Sequence, residues 1–80
     1  MNATIRENDV VALLEDVPAR HFITHAALTL KRGLVGTVVM MHGTEVAEVE
    51  FADEAGRAEA LLPIPVSKMM SLRYSALMAA

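Results

Sequence analysis

Cysteine is absent from this 80-residue chain, so neither a disulfide framework nor a thiolate metal site or nucleophile is open to it. Tryptophan is absent too, and the aromatic residues come down to Phe22, Phe51 and Tyr74. That scarcity argues against an aromatic-lined groove for proline-rich helices and against stacking platforms for single-stranded nucleic acid. Long apolar runs are missing as well. The longest uncharged stretch, between Arg32 and Glu45, spans twelve residues and is broken by glycines and His42, too short to cross a bilayer as a helix. The leader Met1–Asp9 is polar and lacks the apolar run of a signal peptide, so a cytoplasmic setting is expected. The overall basic balance of a nucleic-acid-binding domain is missing too: the net charge is −3, and only Lys31 and Arg32 stand together.

What remains is apolar. Hydrophobic residues make up 54% of the chain and charged residues 21%, too apolar a balance for a disordered tail. Its length allows one domain. A chain of this size buries only roughly 60% of the surface it exposes when unfolded, so its stability is expected to come from the core, with self-association as the further source open to it.

The periodicity points to strands. Val10 to Glu15 reads as the first, ended by Pro18, which disfavours helix at the residue before it. Ala19 to Thr29 is compatible with helical turns or with a long, partly paired connection, and the connection is preferred. Lys31-Arg32-Gly33 reads as a basic, glycine-marked turn into the clearest strand, Val35 to Met41, rich in β-branched residues. A two-residue turn at His42-Gly43 leads into Glu45 to Phe51. That register sets Val38 opposite Ala47 and Gly36 opposite Val49 on the core face, with Val39 opposite Val46 and Thr37 opposite Glu48 outside. The turn Asp53–Gly56 then leads to Arg57–Leu62, placing Phe51 opposite Ala58 and Glu50 opposite Glu59. Pro63 and Pro65 bar a continued central strand. A helical turn over Val66–Met70 and a last strand around Ser71 to Tyr74 close the reading. The expected fold is all-β: a small SH3-like barrel of about five short strands, with a long first connection and a short helical turn near the C-terminus. The expected boundaries are a flexible leader over residues 1–8, the barrel over 9–74 and a frayed end over 75–80.

Four segments carry a resemblance. They are Val10–Pro18, Leu30–Val39 with its Arg-Gly-x-x-Gly-Thr-Val-Val turn, Val46–Asp53, and Gly56–Pro63, which completes a Val-Glu-Phe-x-Asp-x-x-Gly-Arg hairpin. Together they resemble a small bacterial family, domain of unknown function 4926, over roughly Asp9 to Tyr74. The resemblance implies an SH3-like barrel in a bacterial cytoplasm and brings no catalytic residue with it. The family often has a glycine near His25, which this chain lacks. Lys31–Gly36 is also similar, over a short match, to the ribosomal-type nucleic-acid-binding motif called KOW.

Candidate chemistry is thin. His21 and His25 stand four apart, metal-ligand spacing on a helix, but Phe22 occupies the place where a zinc-protease helix needs glutamate. In a connection that spacing means little, and no metal or cofactor is expected. No serine sits in a glycine-flanked elbow. Gly33-Leu34-Val35-Gly36 lacks the Lys-Ser/Thr and the helix of a phosphate loop. The Glu48, Glu50 and Glu59 cluster reads first as a solvated face and second as an acidic patch. Val39, Met41, Val46, Met69, Met70 and Leu72 form an apolar excess of the kind that marks a protein interface, methionine being adaptable there.

The expectation is therefore a non-enzymatic interaction module, self-associating or bound to the product of a neighbouring gene, in an accessory or antitoxin-like role. The alternative is RNA or DNA binding through Lys31, Arg32 and Lys68. Neither a membrane nor a small-molecule substrate is indicated.

Overall fold

A phenylalanine ring needs somewhere to lie in a chain with so few aromatics, and Gly36 provides the place. In the computed structural model, which describes residues 4–72, Gly36 and Phe51 lie on neighbouring strands, and both are buried. A Cβ at Gly36 would come within 2.7–2.8 Å of Phe51 Cε1 and Cδ1 and of Val49 Cγ1. Only a hydrogen in place of a side chain lets the ring settle there.

Seven strands form among the described residues: β1 (Val10–Leu13), β2 (Val17–Arg20), β3 (Ala27–Leu30), β4 (Val35–His42), β5 (Val46–Ala52), β6 (Ala58–Pro65) and β7 (Met69–Ser71). Five make one antiparallel sheet in the order β6-β5-β4-β1-β7, and β2 pairs with β3 as a separate hairpin. A single 3-10 turn, Val66–Lys68, precedes β7. The fold is all-β, consistent with the expected small barrel, and among the described residues no ladder joins β6 to β7 to close it. The core lies between the sheet and the hairpin. Val17 and Leu30 from the hairpin join Val11, Leu13, Val38, Phe51 and Ile64 from the sheet.

Tight turns hold the strands in place. Leu34 N–H donates to Lys31 O at 3.0 Å with Gly33 at φ +90°, the geometry of a turn that needs glycine at its third position. Gly33 N–H in turn donates to Leu13 O at 2.7 Å, tying the turn to β1. Asp53 accepts from Ala55 and Arg57 N–H through Oδ1, and Gly56 N–H donates to Asp53 O.

The structure corrects several expectations. The connection over Ala19–Thr29 is the partly paired one expected, and its paired ends form a hairpin with Val17 and Leu30, because burying those two residues leaves backbone groups that cross-strand pairing satisfies. His25 occupies the left-handed region at φ +64°, in the stretch where the family often has glycine. The β4–β5 turn holds three residues, with His42 paired to Val46, and Val39 is an extra residue in a bulge between the pairs Val38–Val49 and Met40–Glu48. Val38 therefore faces Val49 rather than Ala47, a two-residue shift that preserves the buried face.

In β5–β6 the partner of Phe51 is Ala60 rather than Ala58, and Glu59 is the extra residue of a second bulge. Glu50 consequently faces Leu61, so the direct opposition of two glutamates does not occur. β6 runs on through both prolines because it is an edge strand. Val66 N–H donates to Glu45 O, so the backbone nitrogens of Pro63 and Pro65, one residue out of phase, point away from β5 where no donor is needed.

The expected flexible leader is anchored where it is described: Ile5 packs on the core and Asn8 N–H donates to Val38 O. β7 begins two residues earlier than expected. Arg73, Tyr74 and the expected frayed end lie outside the described residues.

Two substitutions test this account. Gly36→Ala lowers unfolding stability by about 1–3 kcal/mol, the scale of core overpacking, in a chemical denaturation series. His25→Gly raises it by about 0.5–1 kcal/mol, since it relieves a left-handed residue at some cost in unfolded-state entropy. A neutral Gly36→Ala or a destabilising His25→Gly would contradict the packing and strain described here.

Candidate interaction site

An antiparallel sheet with one face on the core usually turns polar residues to water on the other. Three strands of this sheet do not. β4 turns Val35 and Thr37 outward, β1 turns Val10 and Ala12, and β7 turns Met70. Cross-strand pairing aligns them: Ala12 stands between Val35 and Met70, and Val10 stands opposite Thr37. Leu72 N–H donates to Val10 O at 2.9 Å, which brings Leu72 beside the same row. Val35 and Met70 are about half exposed, at 48% and 49%, while Ala12 between them is 9% exposed and stands outside the core cluster. Val35 and Met70 thus flank a nearly covered alanine, and the described residues of this row, Val10, Ala12, Val35, Thr37, Met70 and Leu72, are all uncharged.

The acidic margin lies on β5, next to β4 in the sheet. Glu50 pairs with Thr37, and Glu48 pairs with Met40, with its Oε1 at 2.8 Å from His42 Nε2. Glu59 belongs to the bulge on the far strand, so the expected trio of glutamates does not assemble as a row.

The expected apolar interface divides. Met70 and Leu72 lie on the uncharged face, while Val39, in its bulge, and Val46, opposite His42, lie further along β4 and β5. Met41 and Met69 do not belong to an exposed face. Met69 is 4% exposed and part of the core, and Met41 packs against it, because the bulge at Val39 switches which residues of β4 point inward. Val10, Ala12 and Val35 were not among the expected interface residues. Their signal was the second parity of β1 and β4, which carries apolar residues where a solvated face would carry polar ones.

Both lysines of the expected nucleic-acid contact lie beside carboxylates. Lys31 Nζ lies 3.5 Å from Asp16 Oδ2, Arg32 N–H donates to Asp16 Oδ1 at 2.8 Å, and Lys68 Nζ lies 3.6 Å from Glu15 Oε2. These exposed pairs contribute little stability, but they place negative charge beside each lysine of the expected nucleic-acid contact. The Arg32 N–H, then the charges of Lys31 and Arg32, hold the Asp16 carboxyl below its ordinary 3.8 despite some desolvation. Asp53 is lowered in the same way, first by the Arg57 N–H and then by those of Ala55 and the Arg57 guanidinium.

The β2–β3 tip is the other notable surface. His21 Nδ1 accepts from Ile23 and Thr24 N–H, Thr24 Oγ1 accepts from Ala26 N–H, and Arg20 Nη1 donates to His25 O at 3.0 Å. Phe22 N–H donates to Glu59 O at 2.7 Å, fixing the tip against β6. His21 thus uses a ring nitrogen to shape its own loop. Among the described residues, no group of three or more His, Cys, Asp or Glu is arranged to hold a metal ion. A shallow cavity of about 500 Å³ lies along the hairpin, lined by Pro18, Ala19, Arg20, Ala27, Leu28 and Thr29. No helix among the described residues is long and apolar enough to cross a membrane.

The strand order, the two bulged hairpins and the apolar outer face define a small antiparallel all-β domain. A family model, Domain of unknown function (DUF4926), matches residues 7–71, and the chain belongs to that family. No curated protein and no solved structure matches the chain.

Asp16 and Asp53 are both lowered in the folded state, so the unfolded chain binds more protons at acid pH. Their contribution is present above the ordinary value of 3.8 and is lost as pH falls through their lowered folded values. An acid-unfolding titration should therefore lose stability more steeply below about pH 3.8 in the native chain than in Asp16→Asn/Asp53→Asn. Superimposable curves would show that the two turns do not depend on ionised carboxylates.

Proposed function

We propose that this protein is a non-enzymatic protein-interaction module of the bacterial cytoplasm, engaging its partner through the outer face of β1, β4 and β7. The observation that carries this reading is the uncharged row of Val35, Ala12 and Met70 with Val10 and Leu72 beside it, bordered by Glu48 and Glu50. Half-exposed Val and Met side chains on a strand face gain free energy when covered, about 25 cal/mol for each Å² removed from water. Contiguous apolar patches rimmed by polar residues are the ordinary mark of an interface. The partner is a second copy or the product of a neighbouring gene, in an accessory or antitoxin-like role. Nucleic-acid binding through Lys31, Arg32 and Lys68 draws less support, since Asp16 and Glu15 stand against the two lysines.

The test is native co-purification at low salt, read by mass spectrometry and absorbance ratio, for the native chain and for Val35→Glu/Met70→Glu. The expected result is a stoichiometric protein, or a second copy, that the double variant loses while keeping its native melting profile. Retention of the same partner by the variant would overturn the assignment of this face. Nucleic acid that salt removes would replace the reading with the alternative.

A further inference from the structure

We propose that the outer edge of β3 pairs antiparallel with the same edge of a second copy. The two β2–β3 hairpins then join into one sheet, in the order β2-β3-β3-β2, about a two-fold axis at Leu28. This surface is distinct from the β1-β4-β7 face.

The hairpin shares no ladder with the five-stranded sheet, so it brings two strand edges of its own. Which backbone groups lie on each edge follows from the phase of its ladder. His21 N–H donates to Ala26 O at 2.9 Å, so that pair is hydrogen-bonded, and bonded and non-bonded pairs alternate from there. Leu28 and Leu30 are therefore bonded to Ala19 and Val17, while Arg20–Ala27 and Pro18–Thr29 turn their backbone groups away from each other. Pro18, which has no N–H to give, occupies a position of the second kind, as that phase requires. The N–H and C=O groups of Ala27 and Thr29 thus form a row along the outer edge of β3. Among the described residues, no hydrogen bond reaches them.

The other strand edges are blunted. β6 carries Pro63 and Pro65 on its outer side, and its Glu59 O is taken by Phe22 N–H. β7 is three residues long. β2 presents Pro18 and the charged Arg20 at its outward positions. Proline, charge and shortness are the usual means of keeping an edge from pairing. β3 carries neither proline nor charge, since Ala26 to Leu30 reads Ala-Ala-Leu-Thr-Leu.

Symmetry identifies the occupant. Two outward-facing residues, two apart, are their own antiparallel complement. With Leu28 facing Leu28 of the second copy, Ala27 of each copy stands opposite Thr29 of the other, and each such pair exchanges both N–H···O bonds. The side chains agree with that register. Ala27 and Thr29 are small, exposed and uncharged, so no like charges meet across the axis, and Leu28, packed at the margin of the core, meets its own copy. A foreign strand would need the same small, uncharged side chains in the same register, and β3 already has them. The described part of this chain ends at Leu72, bonded to Val10, whereas the hairpin starts beyond the other end of β1. The contact is isologous and closes at two copies.

Sedimentation velocity of the full chain over a wide concentration range tests this. The native chain should show a monomer–dimer equilibrium. Thr29→Pro removes an outward donor without costing an internal hydrogen bond, as Pro18 opposite it already does, and should weaken the dimer at least about tenfold. Ala27→Lys/Thr29→Lys and Ala27→Glu/Thr29→Glu should each be monomeric alone, because like charges then oppose across the axis, and should dimerise one-to-one when mixed. If Thr29→Pro loses the native melting profile, the two charged variants decide. A monomeric native chain, a folded Thr29→Pro that dimerises like the native chain, or charged variants that stay apart when mixed would each overturn the inference. Hydrogen exchange at the Ala27 amide should slow as concentration rises. Protection independent of concentration would place the cover within one copy and overturn it too. If Val35→Glu/Met70→Glu loses the dimer and Thr29→Pro keeps it, this inference fails alone and the reading of the β1-β4-β7 face stands.

Discussion

The fit of the Phe51 ring over Gly36 is the constraint on which the rest of this structure depends. A small β-domain with few aromatics has little choice of core anchor, and Phe51 is its largest fully buried side chain. The ring can lie flat against the neighbouring strand only where that strand has no side chain. Gly36 therefore fixes which residue of β4 faces which residue of β5. Once that pair is set, Val38 meets Val49, the hairpin must absorb one surplus residue before its turn, and Val39 becomes the bulge. The same anchor sets β1, because Gly36 pairs on its other side with Val11. A single glycine thus fixes the register of three strands.

Much of this was legible in the residues. The alternation of Ala47, Val49 and Phe51 with Glu48 and Glu50 told the inner face of β5 from the outer, and that assignment survives a two-residue change of register because the side-chain period is two. The glycines at the turns behaved as their backbone chemistry requires, whereas the prolines, read as the end of a strand at Leu62, are carried on to Pro65 by an edge strand. The bulges were not legible: an extra residue at Val39 or Glu59 leaves no compositional mark, and its position follows from packing elsewhere, above all at Phe51. That hidden surplus is why Met41 reads as an outer residue and packs inward. The β2–β3 hairpin was obscured for a related reason. Its turn places histidine, not glycine, in the left-handed region, and its inner positions are few: Val17, Ala19, Leu28 and Leu30.

The candidate site was legible only by halves. Met70 and Leu72 stood out as an apolar C-terminal segment, but the strand they pair with lies some sixty residues earlier in the chain. No local pattern announces that Ala12 will stand between Val35 and Met70. The tip was hidden for the opposite reason. In sequence, Phe22 and Ile23 look like two more core residues in an apolar chain, and only the direction of the hairpin turns them outward.

Both surfaces follow from the way this chain solves its stability problem. With no cysteine to supplement a small core by a disulfide, it covers one side of its sheet with the long β2–β3 hairpin and leaves Val35 and Met70 half exposed on the other. The hairpin reaches across the core, and its turn is held at β6 by the bond from Phe22 to Glu59, with Phe22 half exposed and Ile23 largely so. The same geometric decision that completes the inner face thus creates an uncovered apolar tip and leaves an uncovered apolar sheet. Both exposures are what a domain too small to bury all of its hydrophobic residues alone must leave somewhere.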